Sequence, residues 1–307
     1  MLGIGGGGDV VGALAVARLC ESLGTPFALG GVAWERFVID PKPGPRPLAE
    51  VMGARRLSET AALAGPGTTT SDGTPFCEAR MAEHLGEETV LIDVTRGPAG
   101  VTDGILAAAA ELGCDLAIHV DVGGDVLAHG DEAGLASPLC DAVMLAGIAA
   151  TTPSLPGIGA VFGPGCDGEL TAAEVLERIA QLARGGGWLG AWGLTQGLAD
   201  QLEAAARVVP TEASLMAVRC ARGETGEASI RGGRRTVVLG PIGALTIFFD
   251  PVVAVEGGAA PLAHAVAAAG DIEEARGALA ALGVRTELDY ERIRAREGTG
   301  AEPDQPL

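Results

Sequence analysis

Met1-Leu2-Gly3-Ile4-Gly5-Gly6-Gly7-Gly8-Asp9 runs directly into the apolar stretch Val10-Val11-Gly12-Ala13-Leu14-Ala15-Val16. A short apolar run, four glycines and a helix-like apolar segment read as strand, tight turn and helix. Consecutive glycines let the backbone turn sharply and come close to a ligand. The first N–H groups of the following helix then face whatever sits there. Such a turn suits a phosphate or another anion, so the expected class is an α/β protein with a small-molecule site.

Outward from that turn, short β runs alternate with helical segments. Strands are expected at Phe27–Trp34, Thr89–Val94, Leu116–Val122, Ile158–Phe162, Thr236–Leu239 and Leu245–Asp250. Helices are expected at Asp9–Leu23, Ala99–Leu112, from Ser137-Pro138 to Ile148, Thr171–Ala183, Leu198–Val208, Glu212–Ala221, Leu262–Ala269 and Ile272–Leu282. Ser137 is the expected N-cap of its helix, with Pro138 at the first position. This alternation predicts a three-layer, Rossmann-like α/β fold: a mainly parallel sheet with helices on both faces. Asp40–Pro47, Gly65–Thr74 and Thr151–Pro156 read as loops. No shift in composition divides the chain, so residues 1–298 are expected to form one α/β domain, with 299–307 a disordered acidic tail.

Composition removes several function classes. The formal net charge of −19 over 307 residues offers no basic surface for a nucleic-acid backbone. Mean hydropathy is +0.31, yet no apolar run reaches the length of a membrane span. No basic segment precedes an apolar one as in a secretory signal, so a cytoplasmic location is expected. Lys42 is the single lysine and lies in a proline-rich loop, which disfavours a Walker A or Schiff-base lysine. The six cysteines form no C-x-x-C pair and read as buried thiols rather than zinc ligands or disulfides.

Three Gly/Asp turns follow expected strands: Gly5-Gly6-Gly7-Gly8-Asp9, Asp121-Val122-Gly123-Gly124-Asp125 and Gly163-Pro164-Gly165-Cys166-Asp167. In a parallel sheet all three fall on the carboxyl edge, where ligands bind. Asp9, Asp121 and Asp125 are candidate Mg²⁺ ligands, because clustered carboxylates need a compensating cation and hard oxygens suit Mg²⁺. The competing readings are a helix cap for Asp9 and a solvated acidic loop for the rest. Asp125, Glu132 and His129 are the candidate reacting groups, Glu132 or His129 for acid–base work. Gly5, Gly6, Gly7, Gly8, Gly123 and Gly124 are candidate ligand-cradling positions. Arg36 and Arg46, with Lys42, form a local basic cluster that could bind an anion or merely offset nearby acids. Glu35 lies where a dinucleotide-binding fold places its ribose-binding acid. His119 reads as a hydrogen-bonded strand histidine, Arg231-Gly232-Gly233-Arg234-Arg235 as a turn of solvated arginines open to phosphate contact, and Trp188 and Trp192 as packing residues.

The glycine turn with Val10-Val11, Gly31-Val32-Ala33-Trp34-Glu35-Arg36, Asp40-Pro41 with Pro43-Gly44-Pro45, and Val120–Asp125 together resemble an uncharacterised prokaryotic family of archaea and actinobacteria, a domain of unknown function. Asp141 and Asp167-Gly168-Glu169-Leu170 belong to the same pattern. The resemblance covers most of the chain and implies a shared architecture, with no assigned activity and no catalytic residues to carry over.

The residues therefore lead to an expected enzyme that binds a phosphorylated or anionic small molecule, a nucleotide such as ATP, with Mg²⁺. Phosphoryl or nucleotidyl transfer, or a ligase step, is the expected chemistry. Two other expectations stand beside it: an NAD(P)- or flavin-dependent oxidoreductase using Glu35, and a non-enzymatic metabolite sensor or assembly subunit. Ala-rich helices leave a homo-oligomer open; no nucleic-acid or membrane partner is expected.

Overall fold

The structure, a computed structural model, describes residues 1–297. Its strands in chain order are β1 (Leu2–Gly3), β2 (Gly30–Val32), β3 (Val51–Met52), β4 (Arg55–Arg56), β5 (Ala61–Ala64), β6 (Thr69–Thr70) and β7 (Thr89–Ile92). β8 (Ala117–Val122), β9 (Gly157–Phe162), β10 (Trp188–Gly193), β11 (Gly226–Ile230), β12 (Arg235–Leu239) and β13 (Leu245–Phe249) follow. Nine of them form one sheet in the order β10-β13-β9-β8-β1-β2-β7-β5-β4. The central five, β9-β8-β1-β2-β7, pair in parallel; β13 and then β10 on one flank, and β5 and then β4 on the other, are added by antiparallel pairing. Taken in chain order, the parallel strands lie 3-2-1-4-5, the Rossmann-like arrangement, with its switch point between β1 and β8.

Helices cover both faces. Asp9–Ser22, Cys77–Leu85, Gln196–Ala206 and Ala213–Ala221 pack with Ile118, Val120 and Val122 of β8 in one apolar core. Gly97–Leu112, Pro138–Ala149 and Ala172–Arg184 pack on the opposite face with Ile92, Val161 and Phe249. Alternation along β8 turns Ile118, Val120 and Val122 toward the first core, and therefore turns His119 and Asp121 the other way. β8 is buried along its whole length, as a central parallel strand must be.

Some elements depart from the sequence reading. The helices Cys77–Leu85 and Glu287–Glu297 were not expected, nor were β4 and β5. Short β6 lies inside the expected loop Gly65–Thr74. Trp188 and Trp192 are not packed inside: they stand 54% and 43% exposed on the edge strand β10. Ser137 occupies the N-cap position, but its side chain makes no cap bond. Instead the Glu287 carboxylate, arriving from the far end of the chain, accepts from Leu139 N at 3.0 Å and Cys140 N at 2.7 Å. Among the described residues no helix is long and apolar enough to cross a membrane. All six cysteines are free. The expected tail, 299–307, lies outside the described residues.

Candidate functional site

The switch point gathers the acids. Asp9 begins the helix after β1, Asp121 sits near the end of β8, and Asp141 lies in the first turn of Pro138–Ala149. One oxygen of each falls within 4.8 Å of the others, and all three side chains are buried. A second set, Asp125, Asp167 and Glu169, meets the same distance limit. The glycines allow this crowding. A Cβ on Gly5 would stand 2.7 Å from Asp9 Oδ2 and 3.2 Å from Asp141 Oδ2. Gly123, at φ 125°, would drive a Cβ into the Asp167 carboxyl, a conformation and a space that only glycine tolerates.

Burial and mutual repulsion raise these carboxyls. Burial pushes Asp9 up to about 6, against the pull of Arg36 and the Gly5 N–H bond at 3.0 Å. Burial lifts Asp121 far above the ordinary aspartate range, with Asp9 and Asp167 adding to it. The same holds for Asp125, with Asp141 and Glu169 beside it, and for Asp141, with Asp121 and Asp9. Asp167 is raised to about 7 by burial and Glu169. Glu169 goes the other way: Arg235 at 3.2 Å and hydrogen bonds from Ser137 and Ala136 outweigh its burial. Asp141 Oδ1 is buried without any hydrogen-bond partner. Buried carboxylates of this kind need a proton, an arginine or a cation.

Above the acids the protein opens. A cavity of 150 Å³ is lined by Gly8, Asp9, Arg36, Thr211, Glu212 and Arg231 among others. An adjoining cavity of 240 Å³ shares Arg36 and Arg231 and extends to Arg234 and Arg294. Arg36 faces the acids: burial opposes its charge, but Asp9, Glu169, Asp125 and Glu287 more than restore it. Arg231 is lowered to about 10 by burial and by repulsion from Arg36 and Arg235. Neither Arg36 nor Arg231 has a carboxylate within ion-pair distance among the described residues. Arg231 also holds φ 55°, the single non-glycine in the left-handed region among the described residues.

The glycine turn and the Val120–Asp125 segment thus meet at one sheet edge, and residues 1–295 match the family described as protein of unknown function, DUF1152. The chain belongs to this family. It matches no curated protein and no solved structure.

Within this DUF1152 fold the remaining candidates separate. Arg46 is not at the site: it is 1% exposed and bidentate on Asp40, at 2.6 Å to each oxygen, with Glu50 and Asp72 alongside. Lys42 pairs with Glu50 at 2.5 Å, so only Arg36 of the sequence's basic cluster turns to the acids. Glu35 is sealed in the core, where it accepts from Cys77 N at 2.5 Å and Cys77 Sγ at 3.2 Å and caps the helix Cys77–Leu85. It lines neither of the two cavities. Glu132 closes its own loop through His129 N and Gly130 N and pairs with Arg178 at 3.1 Å; neither Glu132 nor His129 lines the two cavities. His119 is not hydrogen-bonded: both ring nitrogens lack partners among the described residues, and burial keeps the ring neutral. In the glycine turn, Gly5 N is bonded to Asp9 and Gly7 N to Trp34 O at 3.0 Å. Gly123 N and Gly165 N are likewise committed, to Phe162 O and Gly123 O. Gly124 approaches Val175 rather than the cavities. Gly6 packs against Trp34 O and Gly8 lines the smaller cavity.

Arg231, Arg234, Arg294 and Glu287 join the site without having been assigned to it from sequence. The arginines of the Arg231–Arg235 turn, in so acidic a chain, were the available signal; of these Arg235 pairs with Glu169.

Proposed function

We propose that the chain is an enzyme of phosphorylated small molecules that works with a divalent cation, Mg²⁺ being the natural choice. Asp9, Asp121 and Asp141 hold the cation, and Arg36 and Arg231 receive the phosphoryl group in the cleft above it. The observation that carries this reading is the unpartnered Oδ1 of Asp141, buried in a carboxylate triad that opens onto two unpaired arginines. Hard oxygen ligands suit Mg²⁺, and a cation beside arginines stabilises charge on a transferring phosphoryl oxygen. Asp125 and Asp167 lie next to the triad as neighbouring acids; a cation held there would favour their ionised forms. Phosphoryl or nucleotidyl transfer is the reaction class, and a nucleotide is the natural ligand at this position of a Rossmann-like sheet.

Thermal stabilisation by nucleotides, each with and without Mg²⁺, tests it. A shift that requires both Mg²⁺ and a phosphorylated ligand and vanishes in Asp9→Ala bears it out. No shift with any nucleotide, and no turnover of a Mg²⁺–nucleotide, overturns it.

A further inference from the structure

Four arginines converge on the 240 Å³ cavity from three separate parts of the chain: Arg36 after β2, Arg231 and Arg234 on the β11–β12 turn, and Arg294 on the closing helix. Among the described residues none of them has a carboxylate within 4.0 Å, although the chain carries a net charge of −19. Elsewhere Arg18, Arg46, Arg55, Arg178, Arg222 and Arg276 are ion-paired, and the other described arginines without an acid, such as Arg56, Arg184 and Arg207, do not line this cavity.

The cavity does hold carboxylates, but each is already engaged. Glu287 caps the helix Pro138–Ala149 through two backbone N–H groups. Glu291 accepts from Trp34 Nε1 at 3.3 Å and Gly44 N at 2.7 Å. Glu212 accepts from Arg231 N at 2.9 Å. That last bond holds Arg231 in its left-handed backbone, a state a non-glycine residue keeps only when its surroundings impose it. Arg234 Nε donates to Arg231 O at 2.9 Å, which ties the two arginines into one turn. Four guanidinium groups brought together against their mutual repulsion form a polyanion site.

We infer that this cavity binds a ligand with two or more linked phosphoryl groups. Arg36 and Arg231 take the phosphoryl group nearest the acids, and Arg234 and Arg294 take the next one outward. The inference rests on the phosphoryl reading of the inner site and adds the length of the anion chain. A diphosphate spans both pairs; orthophosphate reaches only one.

Calorimetric titration with orthophosphate, pyrophosphate, tripolyphosphate and ADP, with and without Mg²⁺, tests it. Pyrophosphate is expected to bind at least about tenfold more tightly than orthophosphate, as an added set of charge-assisted bonds provides. The double variant R234A/R294A should erase that difference, weakening pyrophosphate at least about tenfold and orthophosphate far less. R231G, which suits the left-handed backbone and so should fold, should weaken both anions. ADP stronger than pyrophosphate marks a nucleotide, and equal binding marks the diphosphate itself; either outcome supports the two-subsite cavity. Orthophosphate binding with no gain for pyrophosphate, or a gain that survives R234A/R294A, overturns the outer subsite and leaves the inner reading standing. Absence of binding by every anion overturns both.

Discussion

Replacing Asp141 by asparagine separates a cation site from a structural acid. Asp141 is 1% exposed, its Oδ1 has no partner, and Asp121, Asp9 and Glu287 crowd it. In the metal-free protein this is a destabilising arrangement, since an unsatisfied buried acceptor costs about 1–3 kcal/mol. Asparagine keeps the shape, cannot ionise and fixes an NH₂ donor facing two aspartates. Asp141→Asn should therefore stabilise the metal-free protein by roughly 1–3 kcal/mol, or about 2–5 °C in Tm at about 1.6 °C per kcal/mol for a domain of about 300 residues. With Mg²⁺ or Mn²⁺ the order should reverse. The wild-type protein gains about 4.1 kcal/mol at a thousandfold excess over Kd, which exceeds that difference, and the variant gains almost nothing. Differential scanning fluorimetry of both proteins, in chelator and across a cation titration, reads all four states. A variant that is less stable than the wild type in chelator, combined with no cation shift in the wild type, would refute the reasoning and make Asp141 an ordinary packing residue.

Three further outcomes follow from single sites. Gly123→Ala places a Cβ against the Asp167 carboxyl at φ 125° and should cost on the order of 2–4 kcal/mol, read by urea unfolding; a change under 0.5 kcal/mol would contradict the packing. Arg46→Ala strands Asp40, a 2%-exposed acid, and should cost about 3–5 kcal/mol while leaving anion binding intact, which calorimetry would check. Burial raises Glu287 from 4.5 to about 7, so its folded form holds a proton that the unfolded form releases. That contribution, on the order of 3 kcal/mol, is fully present below pH 4.5 and is lost as pH rises through 7. Glu287→Gln should flatten this part of the stability profile between pH 5 and 8, and an unchanged profile would contradict the assigned shift.

The parts of the site that lie within one strand–turn–helix unit were legible in the sequence. Gly5–Asp9 and Asp121–Asp125 declare themselves by glycine spacing after apolar runs, and the parallel sheet then brings them to one edge. Asp141 and Asp167 stood in the pattern too, but their convergence depends on where β8, β9 and the helix Pro138–Ala149 sit. Glu35 misled because local sequence shows a charge and not its partner: Cys77 N is 42 residues away. Arg46 instead takes the alternative its neighbourhood offered, offsetting Asp40 and Glu50. Arg231 was legible only as a turn open to phosphate contact, and Arg294, on the closing helix, was beyond reach for the same reason as Glu35's partner. The closing helix itself has a weakly amphipathic, highly charged sequence, which hid it. Trp188 and Trp192 read as core because tryptophan usually is, whereas an edge strand leaves them outside.

The central claim is that the buried aspartates hold a divalent cation beneath an arginine-lined phosphate cleft. Electron paramagnetic resonance of Mn²⁺, titrated into the metal-free protein with and without tripolyphosphate, tests it most directly. The account predicts saturable Mn²⁺ binding that Asp141→Asn abolishes and that tripolyphosphate tightens through Arg36 and Arg231. A free Mn²⁺ signal that persists at equimolar protein without tripolyphosphate, identical in Asp141→Asn, and a tripolyphosphate effect no larger than in buffer alone, would contradict it.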